Sequence, residues 1–246
     1  MAGLKDRRAA DGLFSGSPVY DREKGVDVHG LQRGTTEIVI WGDSNTYGFD
    51  PADPLENRYP ERERWTWIFQ QMLGTAWTVV PLGMNGRKIP AFPRDEADMR
   101  ALAGRLSASD VLAVMLGTND LLSAMKPDAG ACAGKMERFL SFLCARMEPD
   151  RVFLIAPPPV GRTDGGISED PFFRACHEEN LRMNAAFGKL ARRMGIWYAD
   201  ADAWDIPLCA DLVHFSAEGH RRFAQCLFRD AQKCLTGSED GWSART

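Results

Sequence analysis

Residues 37–45 read Glu-Ile-Val-Ile-Trp-Gly-Asp-Ser-Asn, a short apolar run that breaks on a glycine and then on small polar residues. β-Branched and aromatic side chains over a few positions, closed by a turn signal, mark a buried strand. Similar runs recur at wide spacing, at Trp77–Pro81, Val111–Leu116, Val152–Ala156 and Ile196–Ala199. Between and after them lie stretches with helical character, about Glu63–Leu73, Asp95–Leu106, Ala129–Met147, Pro171–Met194 and Ser216–Leu235. Strands alternating with helices predict an α/β fold, with a parallel sheet of about five strands joined by crossover helices. Ser216 is placed to cap the last helix, and Glu218 lies in its first turn. Phe223, Leu227 and either Cys226 or Ala231 form the face expected to pack on the sheet.

A chain of 246 residues, 44% hydrophobic and 26% charged, suits one ordinary soluble domain. Its net charge of −4 provides no broad cationic surface to neutralise phosphates, so nucleic acid is not an expected partner. No apolar run approaches the roughly 20 residues that span a bilayer, so no membrane span is expected. The first 35 residues are charged, contain six glycines and lack the apolar core of a secretory signal. They read as a flexible or loosely attached arm, with the cytoplasm as the expected compartment. The folded domain is then 36–236, with a tail over 237–246. Contacts made through the arm would allow a homo-oligomer. The six cysteines are far apart without a Cys-x-x-Cys pair, and they read as reduced packing residues. No cluster with metal-ligand spacing and no glycine-rich phosphate loop occurs, so neither metal nor cofactor is expected.

Four short segments could carry chemistry, and each follows an expected strand, where the crevice of an open parallel sheet lies. Gly42-Asp43-Ser44-Asn45 places a serine just beyond the first strand. It is not the Gly-x-Ser-x-Gly elbow, and a Gly-Asp-Ser after a strand, taken alone, is more often turn chemistry than catalysis. Leu82-Gly83-Met84-Asn85-Gly86 follows the second. Its glycines permit close approach of a substrate to backbone N–H groups, with Gly86 as a candidate donor and Gly83 as a turn residue. Gly117-Thr118-Asn119-Asp120 follows the third. There Asn119 could donate to a developing oxyanion, and Asp120 reads as an Asx turn capping the next helix. Asp211-Leu212-Val213-His214 precedes the last helix. Residues three apart across a turn come within about 7 Å, so the Asp211 carboxylate can meet the imidazole Nδ1–H and leave Nε2 to take a proton. Helix capping would explain that pair equally well. Asp200, Asp202 and Asp205 are alternative orienters. His29 falls in the arm, and His177 and His220 fall within expected helices. The strength lies in the conjunction of a nucleophile, oxyanion donors and a base with its orienter.

These segments resemble the blocks of the SGNH hydrolase (GDSL esterase/lipase) family from about Glu37 to Leu235. The resemblance implies a flavodoxin-like three-layer α/β/α sandwich. It also implies Ser44 as nucleophile, Asp211 and His214 as the remaining catalytic pair, and an oxyanion hole from the amides of Ser44 and Gly86 with the Asn119 side chain. Asn45 departs from the usual aliphatic residue and Pro81 from the Asn that often opens the second block. The Tyr47–Glu61 loop, Arg64-Trp65 and Gly83-x-x-Gly86-Arg87 look like the arylesterase and acyltransferase branch.

The expected reaction is hydrolysis of carboxylic esters with short acyl chains through an acyl-enzyme. The alternatives are acyl transfer to an alcohol and a noncatalytic ligand-binding module on the same fold. Asp43, Tyr47, Trp65, Met84 and Val213 are candidate substrate-binding residues, and Phe49, Leu121 and Phe172 could extend an apolar wall. Each of the apolar ones is equally a candidate for the core. Arg58, Arg62, Arg64 and Arg87 would either recognise an anionic substrate group or solvate a surface.

Overall fold

The structure, a computed structural model, describes residues 36–53, 55, 57–163 and 165–235. The arm expected over 1–35 and the tail over 237–246 lie outside the described residues, as does His29. The regular elements in chain order are β1 (Thr36–Gly42), α1 (Ser44–Tyr47), α2 (Trp65–Leu73), β2 (Trp77–Gly83), α3 (Glu96–Arg105), β3 (Val111–Met115), α4 (Thr118–Leu122), α5 (Ala129–Cys144), β4 (Val152–Ala156), β5 (Arg162–Thr163), β6 (Gly166–Ile167), α6 (Pro171–Met194), β7 (Trp197–Asp200) and α7 (Ala217–Leu235).

Five of the strands form a parallel sheet in the order β2-β1-β3-β4-β7. The order reverses between β1 and β3, the position at which doubly wound sheets open a crevice beyond their carboxyl ends. The five apolar runs are these five strands. Pro81 lacks an N–H, and it is tolerated because β2 is an edge strand. β5 and β6 form a separate antiparallel pair of two residues each, too short to show a period in the sequence.

Alternate residues of the central strands enter two cores, which makes the three layers. Ile38, Ile40, Val111, Ala113, Met115, Phe153 and Ile155 pack with Trp65 and Phe69 of α2 and with Phe223, Leu227 and Ala231 of α7. Val39, Leu112, Val114, Val152 and Leu154 face Met99 and Leu102 of α3, Phe139, Leu140 and Leu143 of α5, and Met183 and Phe187 of α6. Each large side chain buried this way contributes about 1.5–3 kcal/mol. The described cysteines are all free thiols, and Cys132 and Cys176 are buried. Among the described residues no helix is long and apolar enough to cross a membrane.

Local chemistry sets the helix ends. The Asp170 carboxylate accepts from the amides of Phe172 (2.8 Å) and Phe173 (3.3 Å), Pro171 occupies the first turn, and Gly195 closes α6 in the left-handed region. Ser216 Oγ accepts from the Gly219 amide at 3.1 Å, the capping bond expected of α7. The start of α2 differs from expectation. Glu61–Glu63 form a 3-10 turn, and Arg64 is extended, so the helix begins at Trp65. The Arg64 side chain there donates from Nε to the Tyr59 carbonyl at 2.7 Å.

Candidate active site

Three loops meet beyond the carboxyl ends of β1, β2 and β3, and the segment before α7 reaches across to them. At the end of β1 the chain turns directly into the single turn of α1. The Asp43 carboxylate caps it by accepting from the Asn45 amide at 3.0 Å, and Ser44 is its first residue. Asp43 is 1% exposed. Its carboxyl is pushed up from the ordinary 3.8 to about 6, chiefly by burial, against the opposing effects of the Asn45 amide, His214 and Arg87.

Gly83 makes this placement of α1 possible. A β-carbon on it would lie 2.1 Å from the Tyr47 amide nitrogen, so the backbone of α1 rests directly on β2. Gly83 is therefore the last residue of β2, paired with Gly42, and not the expected turn residue. The turn follows it: the Arg87 amide donates to the Met84 carbonyl at 3.1 Å, and Gly86 takes φ 72. A type II turn demands such a φ at its third position. Gly83→Ala is expected to cost about 1–3 kcal/mol of stability by displacing α1. It should also lower esterase activity in the fraction that remains folded. Urea unfolding and p-nitrophenyl acetate hydrolysis, measured side by side, check both effects.

Before α7, Asp211 organises its own segment. Its Oδ1 accepts from the amides of Val213 and His214, each at 3.0 Å, and its Oδ2 meets His214 Nδ1 at 2.6 Å. Burial works against ionisation of this carboxyl, but the His214 ring and the two amides outweigh it, holding the group below its ordinary range. The other imidazole nitrogen, Nε2, lies 2.9 Å from Ser44 Oγ. The remaining candidate orienters are engaged elsewhere. Asp200 accepts from the Asp202 amide, Asp202 meets the Asn184 side chain, and Asp205 pairs with Arg162 and Arg222.

Asn119 donates from Nδ2 to the Arg87 carbonyl at 3.1 Å, which ties the β3 loop to the Met84–Arg87 turn. Asp120 does not cap a following helix, as the sequence suggested. It is buried in α4, where Oδ2 accepts from the Ile89 amide at 2.8 Å and Oδ1 pairs with Lys135 at 2.7 Å. A carboxylate held within the core in this way finds a cation and a peptide donor in preference to a solvent-facing cap.

The proposed walls divide. Trp65 and Leu121 are fully buried and belong to the two cores, so neither stands free to line a surface site. The Trp65 indole N–H instead donates to the Asn45 carbonyl at 2.9 Å. Asp43 is likewise enclosed as a cap. Met84 and Phe172 are exposed, Tyr47 and Val213 are half-buried, and the Phe49 ring lies 4.5 Å from the His214 ring. Three of the four arginines are engaged by main-chain carbonyls. Arg58 donates to Tyr47 and stacks on its ring, Arg64 donates to Tyr59, and Arg87 donates to Gly42 and Leu82 while stacking on Trp41 at 3.7 Å. Burial lowers the Arg87 guanidinium to about 10, with Asp43 and Asp98 opposing. Arg62 lies exposed in the 3-10 turn. His177 and His220 are both buried. The Asn45 side chain, which composition and spacing did not single out, bonds to Val213 and Phe215.

Comparison with known proteins agrees with this architecture. Residues 40–222 match the GDSL-like Lipase/Acylhydrolase family. The fold is similar to that of a protein from Agrobacterium tumefaciens str. C58 assigned as an arylesterase, with 26% identity, a TM-score of 0.66, and coverage of 82% of this chain and 100% of that one. It is similar to Est24, a carbohydrate acetylesterase from Sinorhizobium meliloti, with 24% identity, a TM-score of 0.64, and coverage of 80% and 98%. It is similar too to the M. smegmatis aryl esterase, with 22% identity, a TM-score of 0.65, and coverage of 82% and 100%. Among curated proteins none matches. Matched over residues 40–222 of its 246, the chain belongs to the GDSL-like lipase/acylhydrolase family, the SGNH hydrolases, and is a carboxylic ester hydrolase.

Proposed function

We propose that the chain cleaves esters of short acyl chains through a covalent acyl-enzyme on Ser44. The contact between Ser44 Oγ and His214 Nε2 at 2.9 Å, continued from Nδ1 to Asp211 at 2.6 Å, carries this reading. A serine hydroxyl is a weak nucleophile until an adjacent base takes its proton. Asp211 keeps the proton of the neutral ring on Nδ1, so the Nε2 lone pair faces the hydroxyl. As Oγ bonds to the ester carbonyl carbon, its proton passes to Nε2, and the carbonyl oxygen takes up negative charge. Three donors are assigned to that oxygen. The Ser44 amide, in the first turn of α1, is among those with no partner inside the helix. The Gly86 amide stands in the type II turn. An Asn amide carries two hydrogens, and Asn119 gives one to Arg87 and has one for the oxyanion. The imidazolium then protonates the leaving alkoxide, and a water repeats the sequence to release the acid and free the serine.

Short acyl groups, with carbohydrate or aryl alcohols as leaving groups, are proposed because the similar structures include a carbohydrate acetylesterase and an aryl esterase. Phe49, Tyr47, Met84 and Val213 are the side chains assigned to the substrate.

The test is covalent trapping with an alkyl fluorophosphonate, followed by peptide mass spectrometry. A single adduct on Ser44, formed in step with the loss of p-nitrophenyl acetate hydrolysis, is the expected outcome. An adduct on another residue, or full activity in stoichiometrically labelled protein, would remove Ser44 as nucleophile.

A further inference from the structure

Every polar group of Asn45 is engaged, and the residue is 5% exposed. Its amide donates to Asp43 Oδ1 at 3.0 Å, and its carbonyl accepts from the Trp65 indole at 2.9 Å. The side chain reaches across to the segment before α7. Oδ1 accepts from the Phe215 amide at 2.9 Å, and Nδ2 donates to the Val213 carbonyl at 3.2 Å. The carboxamide thus grips the main chain on both sides of His214, as a neighbouring strand would.

The gripped segment does not hold this shape through its own preferences. Leu212 stands at φ 61, the left-handed region that a γ-branched residue rarely adopts, so its surroundings must hold it there. Four other main-chain ties hold the segment, from the Gly161 amide to the Leu212 carbonyl (2.8 Å), from the Cys209 amide to the His214 carbonyl (2.7 Å), from the Leu212 amide to the Cys209 carbonyl (2.9 Å) and from the Ser216 amide to the Pro207 carbonyl (3.1 Å). None of them reaches the nucleophile. Among the described residues, the hydrogen bonds that join residues 42–48 to residues 211–216 are the Ser44–His214 contact and the two made by the Asn45 side chain. Asn45 adjoins Ser44 on the single turn of α1, which is itself seated on Gly83. The nucleophile and the segment bearing the base are therefore coupled through one carboxamide.

We infer that Asn45 is a positioning residue, whose side chain sets the distance between the His214 imidazole and the Ser44 hydroxyl by bonding the backbone at Val213 and Phe215. This rests on the assignment of Ser44 as nucleophile and His214 as base. The carboxamide itself does not touch the reacting atoms. Its loss leaves the substrate's contacts in place and lets the base drift from the hydroxyl, so the effect falls on kcat and not on KM. A drift of about 1 Å costs about 10²-fold in rate.

The experiment compares wild type, Asn45→Leu, Asn45→Asp and Ser44→Ala in p-nitrophenyl acetate hydrolysis across pH, with thermal unfolding of each. Asn45→Leu removes both bonds at similar volume, and kcat is expected to fall by about 10–100-fold with KM nearly unchanged. Asn45→Asp supplies a switch. A protonated carboxyl can accept from Phe215 and donate to Val213, whereas the carboxylate faces the Val213 carbonyl with two acceptors. The kcat of Asn45→Asp relative to wild type should therefore recover as pH is lowered, while that of Asn45→Leu stays at a constant fraction. If Ser44→Ala is inactive but Asn45→Leu stays within about threefold of wild type in kcat, the inference fails while the catalytic reading stands. If Ser44→Ala retains activity, the catalytic reading itself fails. Should Asn45→Leu not fold, the Asn45→Asp profile decides, and a pH-independent ratio overturns the inference.

Discussion

Ser44→Ala is expected to lower kcat on p-nitrophenyl acetate by about 10⁴-fold or more, with His214→Ala costing about as much and the double substitution little further. In the proposed mechanism, deleting the hydroxyl removes the atom that bonds to the substrate, and the neighbours supply no substitute. Cys209 Sγ is directed to the Phe215 carbonyl and the Tyr59 hydroxyl, and burial raises its thiol above the ordinary range. The Ser216 hydroxyl caps α7. Non-additivity follows because proton transfer needs both partners, so once either is gone the other has no task. The residue of activity would come from the oxyanion donors acting on a water. Steady-state kinetics, with active-site titration to exclude wild-type carry-over, checks this. Singles that retain activity within about tenfold of wild type, or effects that multiply, would break the unit apart.

Asp211→Asn should reduce kcat by about 10³–10⁴-fold while KM changes little. The Val213 and His214 amides both donate to Oδ1 and so require an oxygen there. The substituted amide must consequently present its NH₂ group at the place of Oδ2, facing His214 Nδ1. Nδ1 then becomes an acceptor, the ring proton moves to Nε2, and the nitrogen beside Ser44 can no longer take the hydroxyl's proton. In the wild type the Asp211 carboxyl is held below its ordinary range, so the orienter stays ionised through the ordinary carboxylate range as pH is lowered. A variant within about threefold of wild type would show that the carboxylate has no part in setting the tautomer.

Much of the fold was legible because its signals are local. The five strands are continuous apolar runs between turn signals, and the ends of α6 and α7 follow from Asp170, Pro171, Gly195 and Ser216, each acting within a few residues. The Asp211–His214 pair was legible for the same reason, since a carboxylate and an imidazole three residues apart need only one turn to meet. α1 and α4, of four and five residues, are shorter than any period that could reveal them. Leu121 and Trp65 could be assigned neither to a site wall nor to the core, and Asp43 could be offered to the substrate, because exposure is not a property of a residue in isolation.

The sequence alone determined the alternation of strands and helices, the helix caps, and which segments end at the crevice, since these depend on apolar period and on hydrogen bonds spanning a few residues. Only the tertiary structure decided that the His214 ring meets a serine 170 residues away, that Asn45 grips the backbone on both sides of His214, and that Arg87 turns inward to Gly42 and Leu82. Contacts of that kind depend on sheet order and on which side chains the packed layers cover. Those are settled by the sum of many long-range burials, not by any local spacing.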